Sequence, residues 1–422
     1  MRVLVTGAGG FLGGFMLGAL RAAGHVPVRA VRRPAPGSDD VACDFARDTD
    51  PVVWGPRLAG IDAVVNVAGI LRETRDDTFE RVHVAAPAAL YRACAAAGVR
   101  RVIQISALGA PDDGEFIASK HRGDAVLATL DLDWLVLRPG LVYSAAGAYG
   151  GTRLLRALAA LPLIPLPQRG QQELQPVAAE DLAQAVVAAL ARPALARTVV
   201  EVVGPEVLTL RAYLAHWHRW FGLPPARWLP TPRIASTATV ALGEGWGRGP
   251  LCRAIWNLLD RRRVGAADAM PQLQAKLGLA PRTLAQALAE RPAHAADLWQ
   301  ARWYLLRPFA LATLAVLCVV SALAGLHTPA AAAQALLPGW PAPLVHALAL
   351  GGSGADLLFG IWIASGWRLR RALQGLALLV LAYTLGLGVF APTLWLEPLG
   401  GLLKNLPVLV LIGTVLALEP RR

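Results

Sequence analysis

Three glycines near the start of the chain are spaced for binding phosphate. The run Val3-Leu4-Val5-Thr6-Gly7-Ala8-Gly9-Gly10-Phe11-Leu12-Gly13 puts Gly7, Gly10 and Gly13 three residues apart, after an apolar β-run and at the start of a helix-period stretch. Gly7 permits a tight turn, Gly10 lets the backbone approach a pyrophosphate, and Gly13 lets the helix pack closely on the strand. A helix starting there offers free N–H groups and the positive end of its dipole to an anion. The chemistry is dinucleotide binding. The second β-run ends in Arg32 and Arg33, near where an NAD-binding domain usually carries an acid for the ribose 2′-hydroxyl. A guanidinium suits a 2′-phosphate by charge and by bidentate geometry. NADP(H) is therefore favoured, with NAD(H) the alternative and two solvated surface arginines the plainer reading.

These residues need a parallel sheet to position them. Short apolar runs at 3–6, 26–31, 63–67, 102–105 and 132–137 alternate with Ala-rich helix-period stretches, two of which, 11–23 and 85–97, are followed by a stop-like glycine, Gly24 and Gly98. Such alternation implies strands buried on both faces in a doubly wound α/β sheet. A helix at 179–191 and a strand at 198–203 complete it. Between 140 and 300 the pattern loosens into Pro-rich segments, 161–167 and 223–232, and a small, mostly helical lobe. The expected division is a Rossmann domain at 1–210, a helical lobe at 211–304 and a membrane domain at 305–422.

That membrane domain rests on composition. The chain has 422 residues, 55% of them hydrophobic, and a net charge of +12; its mean hydropathy is +0.45. Apolar runs at 309–326, 345–364, 372–391 and, more weakly, 402–418 approach the roughly 20 residues a span needs. Arg302 and Arg307 precede the first run, Arg368, Arg370 and Arg371 separate the second and third, and Arg421 and Arg422 follow the fourth; the loop at 327–343 has no Lys or Arg, and the loop after the third run has only Lys404. Positive residues stay inside, which expects a multi-pass protein of the cytoplasmic membrane with both termini and the Rossmann domain cytoplasmic. The bilayer is the expected partner. The basic excess has no nucleic-acid motif beside it. Cys43, Cys94, Cys252 and Cys318 form no CxxC, so neither a zinc site nor a disulfide framework is expected. His216-Trp217-His218 is a poor metal pair, since residues two apart on a helix point to different faces. Trp299 and Trp303, among Arg residues, suit a membrane interface. Asp356 within a span is costly unless paired or wet, and Lys404-Asn405 is the other notable polar site in the tail.

The first 300 residues resemble the extended and atypical short-chain dehydrogenases/reductases, the branch with NAD(P)-binding reductase-like proteins and the accessory subunit of respiratory complex I. The resemblance rests on the glycine run, Cys43-Asp44, Asn66-Val67-Ala68-Gly69, Ser106, Ser119-Lys120 and Leu137-Arg138-Pro139-Gly140. It implies Asp44 at the adenine, Asn66, Ala68 and Gly69 along the cofactor, Lys120 on the nicotinamide ribose and Pro139 beside the nicotinamide. The tail resembles DoxX-like membrane domains, and such fusions look like this chain.

One residue departs from the family's Tyr-x-x-x-Lys. Glu115-Phe116-Ile117-Ala118-Ser119-Lys120 puts Phe116 at the tyrosine position, and phenylalanine has no proton to exchange. Ser106, matching the substrate-polarising serine, and Lys120 remain as catalytic candidates. Three readings stay open. The domain binds the dinucleotide without catalysis, as a sensor or a scaffold subunit of a membrane redox complex. It is a reductase with a substitute donor, with His121, Tyr143 or a water as candidates. Or it passes hydride to a flavin or quinone partner without needing the tyrosine. Tyr91 and Tyr149 have no Lys four residues on.

Overall fold

The computed structural model describes residues 1–232, 234, 264–396 and 401–419. Cys252, Arg421 and Arg422 lie outside them. Two compact units divide the chain, Met1–Arg302 and Trp303–Arg422.

In the first unit the strand–helix alternation starts as β1 (Arg2–Thr6), α1 (Phe11–Ala22), β2 (Val26–Val31), β3 (Val41–Ala42) and β4 (Ala63–Asn66). It continues with α2 (Ala86–Ala97), β5 (Arg101–Ile105), α3 (Glu115–Ala128), β6 (Asp133–Pro139), β7 (Leu141–Tyr143), α4 (Gly150–Ala159), β8 (Leu163–Pro167), β9 (Glu173–Leu174), β10 (Pro176–Ala178), α5 (Ala179–Leu190) and β11 (Thr198–Val202). Seven strands form one sheet in the order β11-β6-β5-β4-β1-β2-β3, and its pairs are parallel. The order turns back at β1, the topological switch point beside which doubly wound sheets bind ligands at the carboxyl ends of their strands. Both sheet faces are buried, which explains the near-continuous apolar runs. One core gathers Val3, Val5, Met16 and Leu20 with Leu182 and Val186 of α5. The opposite core gathers Leu4, Val64, Leu90, Val102 and Trp54. Each fully buried Leu, Val or Met there contributes roughly 1.5–3 kcal/mol. Gly24 and Gly98 take left-handed backbone at φ 77° and 75° after α1 and α2, as expected of stop glycines.

The Pro-rich segments are more regular than their sequence suggests. β8 pairs in parallel with β13 (Arg227–Thr231), while β12 (Leu208–Thr209) pairs antiparallel with β9. An isolated two-stranded ribbon tolerates the missing proline N–H, which a central strand would not. Helix α6 (Leu210–Trp220) supplies Tyr213, Leu214 and Trp217 to a third core within the same unit, joined by Leu284 and Leu288. The two helices that follow in the described residues are α7 (Ala269–Leu277) and α8 (Leu284–Ala289).

The second unit contains long apolar helices. The division falls within α9 (Ala295–His327); α10 (Ala330–Leu336), α11 (Ala342–Ser365), α12 (Leu369–Phe390) and α13 (Asn405–Leu418) follow. Three of these, α9, α11 and α12, are long and apolar enough to cross a membrane. The fourth run is shorter. Its helix has 14 residues, about 21 Å at 1.5 Å per residue, against a hydrocarbon core of about 30 Å. Leu314, Ile363, Leu376 and Ile412 form the packed centre, and Leu358, Leu378 and Val410 face outward. A helix set apolar inside and out is a membrane pattern.

Candidate nucleotide and active-site cleft

The glycine loop builds the first wall of a cleft. Gly7 has φ +65°, and a Cβ there would lie 2.9 Å from the Ala68 nitrogen. A Cβ on Gly13 would meet the Gly7 carbonyl oxygen at 2.3 Å, so only glycine lets α1 come this close to the turn. Around Gly9 the space is open. Helix α1 begins after Gly10 with no side-chain cap and no acid in its first turn, so its N–H groups are left for an anion. A cavity of about 530 Å³ opens there, lined by the loop, by Val31 and Arg32, by Cys43 and Phe45, and by Val67, Ala68 and Gly69. A cradle that a Cβ would fill, a bare helix end and this volume fit a dinucleotide.

A second cavity, of about 400 Å³, shares Leu12, Val67, Gly69, Ile70 and Tyr149 with the first and adds Ser106, Phe116, Lys120 and Pro139. The cleft is thus continuous. Helix α3 places Phe116, Lys120 and Asp124 four residues apart, on one face. Lys120 is 5% exposed, and its Nζ donates to the carbonyls of Ala68 at 3.0 Å and Ile105 at 3.3 Å. Burial lowers it to about 8, against the pull of Asp124. A Cβ on Gly69 would sit 2.9 Å from that Nζ, so a larger residue there would make the ammonium shift.

Phe116 lies against Phe79 and His83, ring centroids 6.2 and 5.7 Å away. His83 sits in a π-helical turn, Glu80–Ala85. Its Nε2 accepts from the Ile70 N–H at 3.0 Å, and its Nδ1–H donates to Ser119 Oγ at 2.8 Å, which itself donates to the Phe116 carbonyl. Burial, with Lys120 and Arg122 nearby, holds His83 down at about 2. It is a neutral brace for the loop at Gly69–Ile70.

Several expected positions fall elsewhere. Asn66 is 1% exposed and does not line either cavity. Its side chain accepts from Thr6 at 2.5 Å and donates to Tyr91 at 2.9 Å and Gln104 at 2.8 Å, so it ties β1, β4, β5 and α2 behind the cleft. In a short strand the alternation of side chains turns Asn66 inward, and the backbone after it, at Val67–Gly69, faces the cavity instead. Asp44 does not line the cavity either; Cys43 and Phe45 flank it there, while Asp44 approaches Arg32 Nε at 3.4 Å. Arg32 also pairs with Asp77 at 2.6 Å. Arg33 is exposed, with no ion pair among the described residues. His121 and Tyr143 do not line the cleft. His121 Nε2 meets the Gly109 carbonyl at 2.9 Å and its Nδ1 faces Arg138 at 3.3 Å; Tyr143 lies in the core beside Tyr213 and Trp217. His218 spends both ring nitrogens on the Ala159 and Pro224 carbonyls.

Tyr149, set aside in the sequence for want of a Lys four residues on, and Asp124, not singled out there, both bear on the cleft. Tyr149 lines both cavities and stacks on Phe11 at 4.7 Å; burial pushes its hydroxyl up to about 12. Asp124, 5% exposed, accepts from Ser106 Oγ at 2.7 Å and from Arg138 Nη2 at 3.0 Å. Its spacing four residues after Lys120 is a signal that could have found it.

The second unit has polar pairs of its own. Ser321 Oγ donates to Asp356 at 2.6 Å, and Asn405 Nδ2 donates to Thr384 at 2.9 Å. Lys404 is exposed. Trp299 is 68% exposed, whereas Trp303 packs on the helices of the tail.

Known proteins resemble the chain in both of its units. Residues 7–193 match an NAD(P)H-binding family model, and residues 312–413 match a DoxX-like family. A 3-diazoavenalumate denitrifying reductase of a Streptomyces species is 33% identical over 269 residues, 56% of this chain and 87% of that protein. The mouse mitochondrial NADH dehydrogenase (ubiquinone) 1 alpha subcomplex subunit 9 is 26% identical over 231 residues, 54% of this chain and 58% of that one. The solved structure of MoeE5 with UDP-glucose and NAD superposes with a TM-score of 0.52 at 20% identity, covering 72% of this chain and all of that one; it shows the fold. The class is therefore an NAD(P)H-binding Rossmann domain of reductase and epimerase type. The chain belongs to the short-chain dehydrogenase/reductase-like NAD(P)-binding family, and it carries a DoxX-like membrane region at its C-terminal end.

Proposed function

We propose that the protein is a membrane-anchored reductase that holds NADP(H) in the cleft of its first unit and acts on a small, largely apolar carbonyl or quinone substrate. One observation carries this reading. The nucleotide cradle continues into a second cavity of about 400 Å³, walled by apolar side chains with Ser106 and Lys120 among them. A scaffold needs the first cavity but has no use for the second. Bound there, the nicotinamide supplies or accepts the hydride. Gly7, Gly10, Phe11, Leu12 and Gly13 would hold the pyrophosphate, Ala68 and Gly69 the middle of the cofactor, Lys120 the nicotinamide ribose, and Pro139 the edge of the ring. Arg33 favours a 2′-phosphate, with Arg32 fixed beside it by Asp77.

In the tail, Arg307 pairs with Glu419 at 2.7 Å, and Arg370 donates to the Leu416 and Glu419 carbonyls at 3.0 and 2.9 Å. The starts of the first and third spans thus share one basic end with the close of α13. This supports an orientation with that end, and both termini, at the cytoplasmic face.

Phe116 favours a second reading, a non-catalytic dinucleotide-binding subunit of a membrane redox complex, in keeping with the likeness to a complex I subunit. Titration of the purified protein in detergent with NADPH and with NADH, followed by nucleotide fluorescence and then by reduced-nicotinamide absorbance with quinones and carbonyl compounds, separates them. Tight NADPH binding with steady oxidation supports the reductase. Binding without oxidation supports the subunit. Absence of binding sinks both.

A further inference from the structure

A cleft that has lost its tyrosine needs another route for the substrate proton. Ser106 lines the substrate cavity at the end of β5, and its hydroxyl donates to Asp124 Oδ2 at 2.7 Å. A serine that has given its hydrogen to a carboxylate presents lone pairs to the cavity, so it can accept a proton from a substrate hydroxyl. Asp124 is built for the other half of the exchange. Arg138 fixes it through Nη2 at 3.0 Å and Nε at 3.3 Å, both on Oδ2, and its Oδ1 is buried with no hydrogen-bond partner among the described residues. Such an orphaned acceptor is costly while the carboxylate is charged, and the cost falls when Oδ2 takes a proton and the group becomes neutral. The tyrosines do not supply this route. Burial alone holds the Tyr149 hydroxyl up at about 12, with no charge among the described residues lowering it, and Tyr143 is in the core.

We propose that Ser106 and Asp124 form a two-residue proton relay that replaces the tyrosine; this rests on the reductase reading above. In the oxidising direction the substrate O–H bond breaks and its proton bonds to Ser106 Oγ, while the Ser106 O–H bond breaks and that proton bonds to Asp124 Oδ2. The electron pair left on the substrate oxygen becomes the second C–O bond, and the carbinol hydrogen leaves with its own pair, the hydride half of the chemistry already assigned to the nicotinamide. Asp124 ends with one added proton, released to solvent afterwards. Reduction runs the same bonds backwards. Ser106 is the catalytic residue, and Asp124 acts through it. The charged and titratable groups around Asp124 are Lys120 and His121 on its own helix, Arg138 on β6 and Tyr91 on α2.

The test uses full-length protein in detergent, with 9,10-phenanthrenequinone and 4-nitrobenzaldehyde as probe acceptors. Asp124→Asn lowers kcat about a hundredfold, the low end of general acid–base catalysis, and leaves the NADPH Kd within threefold. Asp124→Glu keeps a measurable part of kcat, with its pH profile displaced. Phe116→Tyr in the Asp124→Asn background restores turnover at least tenfold. Without nucleotide, infrared titration of the carboxyl band shows a signal that Asp124→Asn abolishes and Ser106→Ala shifts. Full kcat in Asp124→Asn, or a parallel loss of NADPH binding, overturns the relay. A native protein that binds NADPH and turns over neither probe overturns it too, and leaves the nucleotide site standing. Failure to bind NADPH at all overturns the reading beneath it.

Discussion

The two ends of the cleft are built from different materials. At the phosphate end the work is done by backbone: Gly7, Gly10 and Gly13 clear space, and the bare end of α1 offers its N–H groups. At the end proposed for the chemistry it falls to side chains from three elements, Ser106 after β5, Lys120 and Asp124 on α3, and Arg138 on β6. A backbone site leaves no latitude, because any Cβ fills it. A side-chain site can lose one group, as at Phe116, and still keep a shape that an adjacent residue can take over.

Four changes press on that difference, in order of expected size. Gly13→Val drives a branched side chain into the Gly7 carbonyl. NADPH binding should weaken about a hundredfold, in line with overpacking costs of about 1–3 kcal/mol; fluorescence titration checks it, and near-native affinity would mean that the loop can move aside. Arg33→Ser removes a guanidinium that has no ion pair among the described residues. NADPH affinity should fall about tenfold, one charge-assisted contact's worth, with NADH affinity unchanged; equal losses for both would place Arg33 away from the 2′-phosphate.

The third change tests the brace at the junction of the two ends. His83 is neutral in the fold, held near 2 by burial, and titrates near 6.5 when unfolded. Below about pH 6 the unfolded state therefore binds a proton that the folded state refuses, so stability falls as pH falls, by about 1.4 kcal/mol per pH unit. His83→Gln should flatten that slope in urea unfolding of the intact protein followed by tryptophan fluorescence. An unchanged slope would show that other groups set it. The smallest effect is expected behind the cleft. Thr6→Val removes a donor to Asn66 and should cost about 1 kcal/mol of stability with no change in NADPH affinity. A change in affinity would put Asn66 back on the cofactor.

Much of the fold was legible. The runs at 26–31 and 198–203 lie within a residue of β2 and β11 because a parallel strand buried on both faces is apolar throughout. The Pro-rich runs were harder, since the β8 and β13 pairing joins segments about 60 residues apart and has no local period. Helix α3 turns Asp124 inward on the same face as Lys120, and a lone Asp reads as surface until its partners are known. Asn66 shows the reverse error. Motif position put it on the cofactor, while its neighbours Thr6, Tyr91 and Gln104 claim its side chain.

The sequence by itself determined the dinucleotide loop and the apolar tail, because a glycine turn and a run of membrane-length hydrophobic residues are local properties that need no distant partner. Only the tertiary structure decided what each polar side chain does. Ser106 and Asp124 are 18 residues apart, and their hydrogen bond exists because β5 and α3 pack together. A buried polar atom takes its role from whatever partner lies within about 3 Å, and that distance is set by the fold.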